Sequence, residues 1–188
     1  MSKCIRDISA VHPKNGELYL LDCCILLYLF YTSGRCNEED TKKYSAFYTS
    51  MIQNECRLAL PLNLFTEFSN KFINLEYGRY LSDHKNCRKD FSYKDFRSTK
   101  EFEDAVKEIQ SIVKNQFPRI ETFDYNFKSE NIARILDLVN KMDLNDIIYS
   151  DISRKYNIPI VTNDLDFINS SHVNIITTNH RMLNLKST

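Results

Sequence analysis

The reading of the fold turns on Asn157-Ile158-Pro159-Ile160-Val161-Thr162-Asn163-Asp164-Leu165-Asp166-Phe167. Ile160 and Val161 form the heart of a short apolar run of the kind that becomes a buried strand. The run breaks into Thr162-Asn163-Asp164-Leu165-Asp166, a polar turn with two carboxylates. Just upstream, Asp143-Leu144-Asn145-Asp146-Ile147-Ile148 has the form of a helix start with acids in its first turn. In an open parallel sheet, ligands bind outside the carboxyl ends of the strands. An acidic strand end beside an acidic helix start is therefore the place to look for a metal, provided the rest of the chain supplies partners.

Working outward, the chain alternates short apolar strands with amphipathic helices. Leu18-Tyr19-Leu20-Leu21 is a buried strand ending at Asp22, and Ile25–Phe30, apolar all round, is a buried helix packed on a sheet. Asn37-Glu38-Glu39-Asp40 opens a helix to about Cys56, with Tyr44, Phe47, Tyr48, Met51 and Ile52 as its apolar stripe. Leu58-Ala59-Leu60-Pro61 is a second strand, followed by a helix over Leu64–Leu81 that carries Glu67 early. Glu101–Gln116 is amphipathic, Ile120–Phe123 is a third strand, Ser129 opens a further helix, and Val173–Thr177 is the last strand. This pattern predicts an α/β fold, a three-layer α/β/α sandwich around a mostly parallel sheet. One domain over residues 1–188 is expected, with a polar lead-in over about 1–16 and an insertion around 82–100 too small to build a core of its own.

Composition sets bounds on function. A hydrophobic content of 43% supports a packed core, and 25 basic against 25 acidic residues leave no overall charge to demand or exclude nucleic acid. The six cysteines include no CxxC pair, Cys23 and Cys24 lie in an apolar run, and no secretory signal opens the sequence. The apolar run Leu18–Tyr31 is shorter than the roughly 20 residues needed to span a bilayer. Reduced thiols, no membrane partner and a cytoplasmic location are expected. The four histidines have no metal-ligand spacing, and there is no phosphate-cradling glycine-rich loop.

Asp22 ends a strand, Glu67 lies early in a helix, Asp146 starts a helix and Asp164 follows a strand. Parallel strands bring Asp22 and Asp164 to one rim and deliver the Glu67 helix there too. Like charges about 4 Å apart repel by about 4 kcal/mol at an effective dielectric of 20, so such a cluster raises its pKa values or binds a cation. All-oxygen ligands select Mg²⁺ or Mn²⁺, whose chemistry on a phosphodiester is activation of water for attack.

Leu20-Leu21-Asp22-Cys23-Cys24, Asn63-Leu64-Phe65-Thr66-Glu67-Phe68, Leu144-Asn145-Asp146-Ile147-Ile148 and Val161-Thr162-Asn163-Asp164-Leu165-Asp166-Phe167, in that order, resemble the PIN-domain nuclease family. The likeness runs from about Leu18 to Thr178, and the final hydrophobic strand with Thr-x-Asp-x-Asp-Phe is its most specific part. The resemblance implies a Mg²⁺- or Mn²⁺-dependent endoribonuclease with Asp22, Glu67, Asp146 and Asp164 as its catalytic, metal-binding acids. It also implies Asp166 as a supporting or alternate metal ligand, and Thr162 and Asn145 as supporting residues. RNA is the implied substrate. Many bacterial members are VapC-type toxins restrained by an antitoxin, and homodimers are common. The chain departs from those compact toxins in its length, chiefly over Ser82–Phe117, and in Cys24, where relatives usually carry a small polar residue, often Asn.

Each residue also has a plainer reading. Asp22 and Asp166 can be turn or cap residues, Asp146 or Asp143 can cap a helix, and Glu67 can be an exposed helix acid with Glu76 beyond it. Arg88, Lys89, Lys94 and Arg97, interleaved with Phe91, Tyr93 and Phe96, match a strand-binding surface. The same residues equally match a solvated insertion with a small aromatic cluster. A catalytically inactive nucleic-acid- or protein-binding module on this fold is the alternative function. A haloacid-dehalogenase-like phosphohydrolase also uses Asp after its first strand, but its pattern requires Asp where this chain has Cys24.

Overall fold

The computed structural model describes residues 4–31, 38–84, 90–117, 119–125 and 128–185, without the side chains of 130 and 131. Six strands form one sheet: β1 (Cys4–Asp7), β2 (Leu18–Leu21), β3 (Arg57–Ala59), β4 (Arg119–Glu121), β5 (Ile160–Val161) and β6 (Asn174–Thr177). Their order is β1-β6-β5-β2-β3-β4, and every pairing is parallel. The central strands β2, β5 and β6 carry the apolar runs, and Leu20, Ile160, Val161, Ile175 and Ile176 are completely buried. Burial on both faces is what an all-parallel sheet requires. The outer strands are charged, Arg6 and Asp7 on β1 and Arg119 and Glu121 on β4, which discourages edge pairing.

The polar lead-in expected over residues 1–16 is in part a strand. Cys4–Asp7 pairs along its length with Asn174–Thr177. Only Ile5 of its four side chains is buried, so the strand exists because β6 offers it a hydrogen-bonding edge. The expected turn at Asn15-Gly16 is present, with Gly16 at φ 73°, a conformation that costs glycine little.

The helices are α1 (Cys23–Phe30), α2 (Glu38–Gln53), α3 (Leu62–Asp83), α4 (Tyr93–Phe96), α5 (Lys100–Asn115), α6 (Ser129–Val139), α7 (Leu144–Tyr156) and α8 (His180–Asn184). From β2 the chain moves one way to β3, and from β4 it moves back the other way to β5. Right-handed crossovers therefore place α1 and α2 on one face and α6 and α7 on the other, giving three layers. Phe47 of α2 meets Tyr19 of β2 edge-on at 5.3 Å. α7 ends at Asn157, in the left-handed conformation at φ 54°, and Pro159 then leads into β5.

The chain divides into two compact units, Met1–Leu64 with Pro118–Thr188, and Phe65–Phe117. The first holds the whole sheet. The second contains most of α3 with α4 and α5, and so extends well beyond the insertion expected over 82–100. Its core is aromatic: Phe96 is fully buried, with ring contacts to Tyr77, Tyr80 and Phe102 at 5.3–5.8 Å. Among the described residues no helix is long and apolar enough to cross a membrane.

Candidate active site

Chain progression diverges between β2 and β5, since β2 leads on to β3 and β5 leads on to β6 in the opposite direction. The crevice outside the carboxyl ends of strands at such a switch point is where ligands bind in open α/β sheets. Asp22 stands there, one residue past β2 and only 4% exposed. Its Oδ1 accepts the Cys23 N–H at 2.6 Å, capping α1. Its Oδ2 accepts the Thr162 hydroxyl at 2.7 Å and the Cys24 thiol at 3.1 Å.

Thr162, one residue past β5, is completely buried. Its Oγ1 also accepts the Asp164 N–H at 2.9 Å, so the hydroxyl proton is directed at Asp22. One side chain thus ties the end of β2 to the acidic turn after β5. Burial and the neighbouring Asp22 carboxylate push the Cys24 thiol well above its ordinary pKa, which keeps it a donor.

The third strand end is joined by a residue that sequence periodicity assigned to packing and by one from the polar turn after β5. Tyr44, part of the apolar stripe of α2, donates its hydroxyl to the Thr162 carbonyl at 3.2 Å and accepts the Thr178 N–H at 3.1 Å. Burial lifts this phenol to about 12, so it remains protonated. Asn163 Oδ1 accepts the Thr178 hydroxyl, and the Asn163 carbonyl accepts the Asn179 amide at 2.9 Å. A buried tyrosine on a helical stripe carries no sequence mark separating a rim clamp from a core residue.

Asp146 reaches the same rim from another element. A helix leading into a parallel strand runs back across the sheet, so the N-terminus of α7 lies at the carboxyl edge. The Asn63 amide, four residues past β3, donates to Asn145 Oδ1 at 3.2 Å and fixes that placement. Asp143 caps α7 by accepting the Asn145 N–H at 2.8 Å, which leaves the cap role filled and Asp146 buried in the first turn at 8% exposure. The positive end of the helix dipole favours a carboxylate there.

The remaining sequence candidates are placed differently. Asp164 and Asp166 are exposed, and Asp164 Oδ1 accepts the Asp166 N–H at 2.9 Å, capping the 3₁₀ turn Leu165–Asn169. Glu67 belongs to the Phe65–Phe117 unit, part-exposed and ion-paired with Lys71 at 2.6 Å. Glu76 on the same helix is the more buried acid, paired with Arg79 at 2.6 Å. Lys94 and Arg97 are exposed around α4, whereas Arg88 and Lys89 lie outside the described residues. Of the aromatics beside them, Tyr93 is exposed while Phe91 and Phe96 turn inward. Phe91 stacks on Tyr80 at 5.0 Å and Phe96 is buried, so these two rings serve packing within their unit.

Among the described residues no three His, Cys, Asp or Glu side chains converge on a ready-made ion cage. The donors at the rim, carboxylates and a hydroxyl, are hard oxygens of the kind Mg²⁺ and Mn²⁺ take. Mg²⁺ is commonly held by one or two carboxylates, with water and substrate phosphates completing its shell. The chemistry of the donor set therefore fits such an ion.

An all-parallel sheet has Asp past a central strand, Asp in the first turn of the helix before β5, and Thr-x-Asp past β5. The order of motifs read from the sequence is thus set on the matching elements. The fold is α/β, with helices packed about an all-parallel six-stranded sheet. No family model matches the sequence, and no curated protein is significantly similar to it. Among solved structures, VapBC2 from Rickettsia felis bound to a DNA fragment from its promoter matches with TM-score 0.48 and 17% identity, over 85% of this chain and 98% of that one. PAE2754 from Pyrobaculum aerophilum matches with TM-score 0.45 and 14% identity, over 92% of this chain and 91% of that one.

Proposed function

We propose that the chain is a metal-dependent endoribonuclease that hydrolyses RNA phosphodiester bonds at the carboxyl rim of its sheet. The observation that carries this reading is the buried Asp22–Thr162 hydrogen bond at the switch point between β2 and β5. A carboxylate held in place by a hydroxyl, a thiol and a backbone N–H is preorganised, and preorganised charge is what an electrostatic site needs. Asp22 and Asp146 are the acids we assign to hold the ion, with Asp164 and Asp166 as the further acids of the same rim. Mg²⁺ or Mn²⁺, when bound, supplies the Lewis acid that activates water and neutralises the phosphate. Thr162 orients Asp22 and fixes the backbone of Asp164. Asn145 joins α7 to the start of α3 through Asn63 and so supports Asp146. Lys94 and Arg97, with Arg88 and Lys89, are assigned to the RNA backbone. The exposed Ile132, Leu136 and Val139 of α6 supply apolar surface for a homodimer or an antitoxin, the toxin role being part of this reading.

The test is cleavage of single-stranded RNA by purified protein with Mn²⁺ or Mg²⁺. Cleavage is expected to stop with a chelator and in Asp22→Asn and Asp164→Asn. Activity that survives both substitutions, or the chelator, overturns the proposal.

The alternative, a catalytically inactive PIN-fold module that binds nucleic acid or protein, draws on a specific observation. Both oxygens of Asp22 already accept protein donors. Calorimetric titration with Mn²⁺ separates the two readings, since the inactive module gives no binding that Asp22→Asn removes.

A further inference from the structure

Away from the acidic rim, a cavity of about 630 Å³ opens where β2, β3 and β5 begin, lined by Leu18, Arg57 and Pro159 at the strand starts. Arg6 of β1 and His12 and Lys14 of the β1–β2 connection wall one side, and Phe123 and Tyr156 wall another. Its size lies within the roughly 300–1,000 Å³ of small-molecule sites. All of these residues belong to the unit that holds the sheet.

The polar groups of this cavity are unequally satisfied. The Arg57 guanidinium is committed, donating from Nε to the Gly16 carbonyl at 3.2 Å and pairing with Glu121. Glu17 is committed too, accepting the Lys14 N–H at 2.9 Å and the Tyr19 hydroxyl. Arg6 is different: its Nε is buried and has no hydrogen-bond acceptor among the described residues. A buried donor without an acceptor is costly, and more so on a cation, so folded proteins seldom retain one without use. An acceptor that enters the cavity can meet this guanidinium, and a guanidinium and an ammonium lining one cavity suit a phosphate.

The opposite wall is aromatic. Phe123 and Tyr156 lie with ring centroids 4.8 Å apart, Phe123 buried and Tyr156 44% exposed. The Lys155 ammonium lies over one face of the Tyr156 ring, 4.8 Å from its centroid, and adds positive charge at this exposed aromatic wall. Cations that hold a phosphate and an exposed ring that stacks a base are the two halves of nucleotide recognition.

We infer that this cavity is a second ligand site that binds a nucleoside monophosphate, its phosphate on Arg6 and Lys14 and its base against Tyr156. The inference stands independently of the nuclease reading.

The probes are AMP, adenosine and inorganic phosphate, titrated calorimetrically into the full chain in EDTA at low salt so that metal-dependent binding at the acidic rim is suppressed. AMP binds, and adenosine and inorganic phosphate each bind at least about tenfold more weakly. Arg6→Met weakens AMP binding at least about tenfold, the worth of a hydrogen bond to a charged group. Lys14→Met and Tyr156→Ala, both on exposed side chains away from the sheet, repeat the test without risk to β1, and Tyr156→Ala costs about five- to tenfold. Asp22→Asn leaves AMP affinity unchanged. No AMP binding at millimolar concentration, AMP binding no tighter than inorganic phosphate, affinity indifferent to Arg6→Met and Lys14→Met, or loss of binding in Asp22→Asn overturns the proposal.

Discussion

At the carboxyl ends of β2 and β5 the buried polar groups are an acid and a hydroxyl locked to one another, whereas where the same strands begin the walls are cationic and one guanidinium nitrogen has no acceptor. The first arrangement presents fixed negative charge, which suits a cation that arrives with water and phosphate. The second presents an unmet donor, which suits an anion. A single parallel sheet thus offers opposite chemistry at two places because strand ends, unlike strand centres, are free to carry polar residues. The difference teaches that burial alone does not identify a site. What matters is whether the buried group has been satisfied within the protein or left for a ligand.

The largest expected effect breaks the carboxyl rim. Asp22→Asn keeps a side chain able to cap α1, yet removes the charge. RNA cleavage with Mn²⁺ falls at least about 10³-fold while the thermal unfolding midpoint changes little. Equal loss of activity and of folded protein would reduce Asp22 to its cap role. Thr162→Val follows, with cleavage reduced about 10–100-fold, as when a supporting partner of a ligand is removed. The Asp164 N–H and Asp22 Oδ2 lose a partner together, at a cost of about 1–3 kcal/mol in denaturant unfolding. Thr162→Ser restores both readouts in large part, since it keeps the hydroxyl.

At the other place the sign reverses. Arg6→Met replaces an unpartnered buried donor with an apolar chain of similar reach, so the protein gains about 1 kcal/mol of stability in denaturant unfolding. A loss of stability instead would show that Arg6 is satisfied and that the contrast between the two places is false. The smallest effect concerns Glu17. Burial works to raise its pKa, but the hydrogen bonds from Tyr19 and Lys14 and the charges of Lys14 and Arg6 hold it below its ordinary 4.5. Its contribution is therefore complete above pH 4.5 and is lost as pH falls through the lowered folded value. Unfolding midpoints measured from pH 6 to pH 3 should fall less steeply in Glu17→Gln than in the parent.

Much of this was legible in the residues themselves. The strand Leu18–Leu21 was readable to the residue, and Ile160-Val161 with Asp164 after it gave the rim, because apolar runs broken by acids admit few other structures. β1 was not legible, since Cys4-Ile5-Arg6-Asp7 buries one side chain and owes its conformation to pairing with β6. The aromatic residues near Lys94 and Arg97 suited stacking on bases or on each other equally well, and the structure packs Phe91 and Phe96 against their own unit. Asp143 and Asp146 both suited the cap of α7 until the Asn145 N–H was seen to point at Asp143.

The sequence by itself determined the periodicities, and with them the alternation of strands and helices, the parallel sheet and the placing of acids just past strands. Those follow from local chemistry and chain direction alone. Only the tertiary structure decided that Thr162 reaches Asp22 across 140 residues, that Tyr44 on its helical stripe clamps the ends of β5 and β6, and that the Arg6 Nε is buried without an acceptor among the described residues. Each depends on which strands become neighbours, and strand order is fixed by the summed burial of the whole sheet rather than by any one segment.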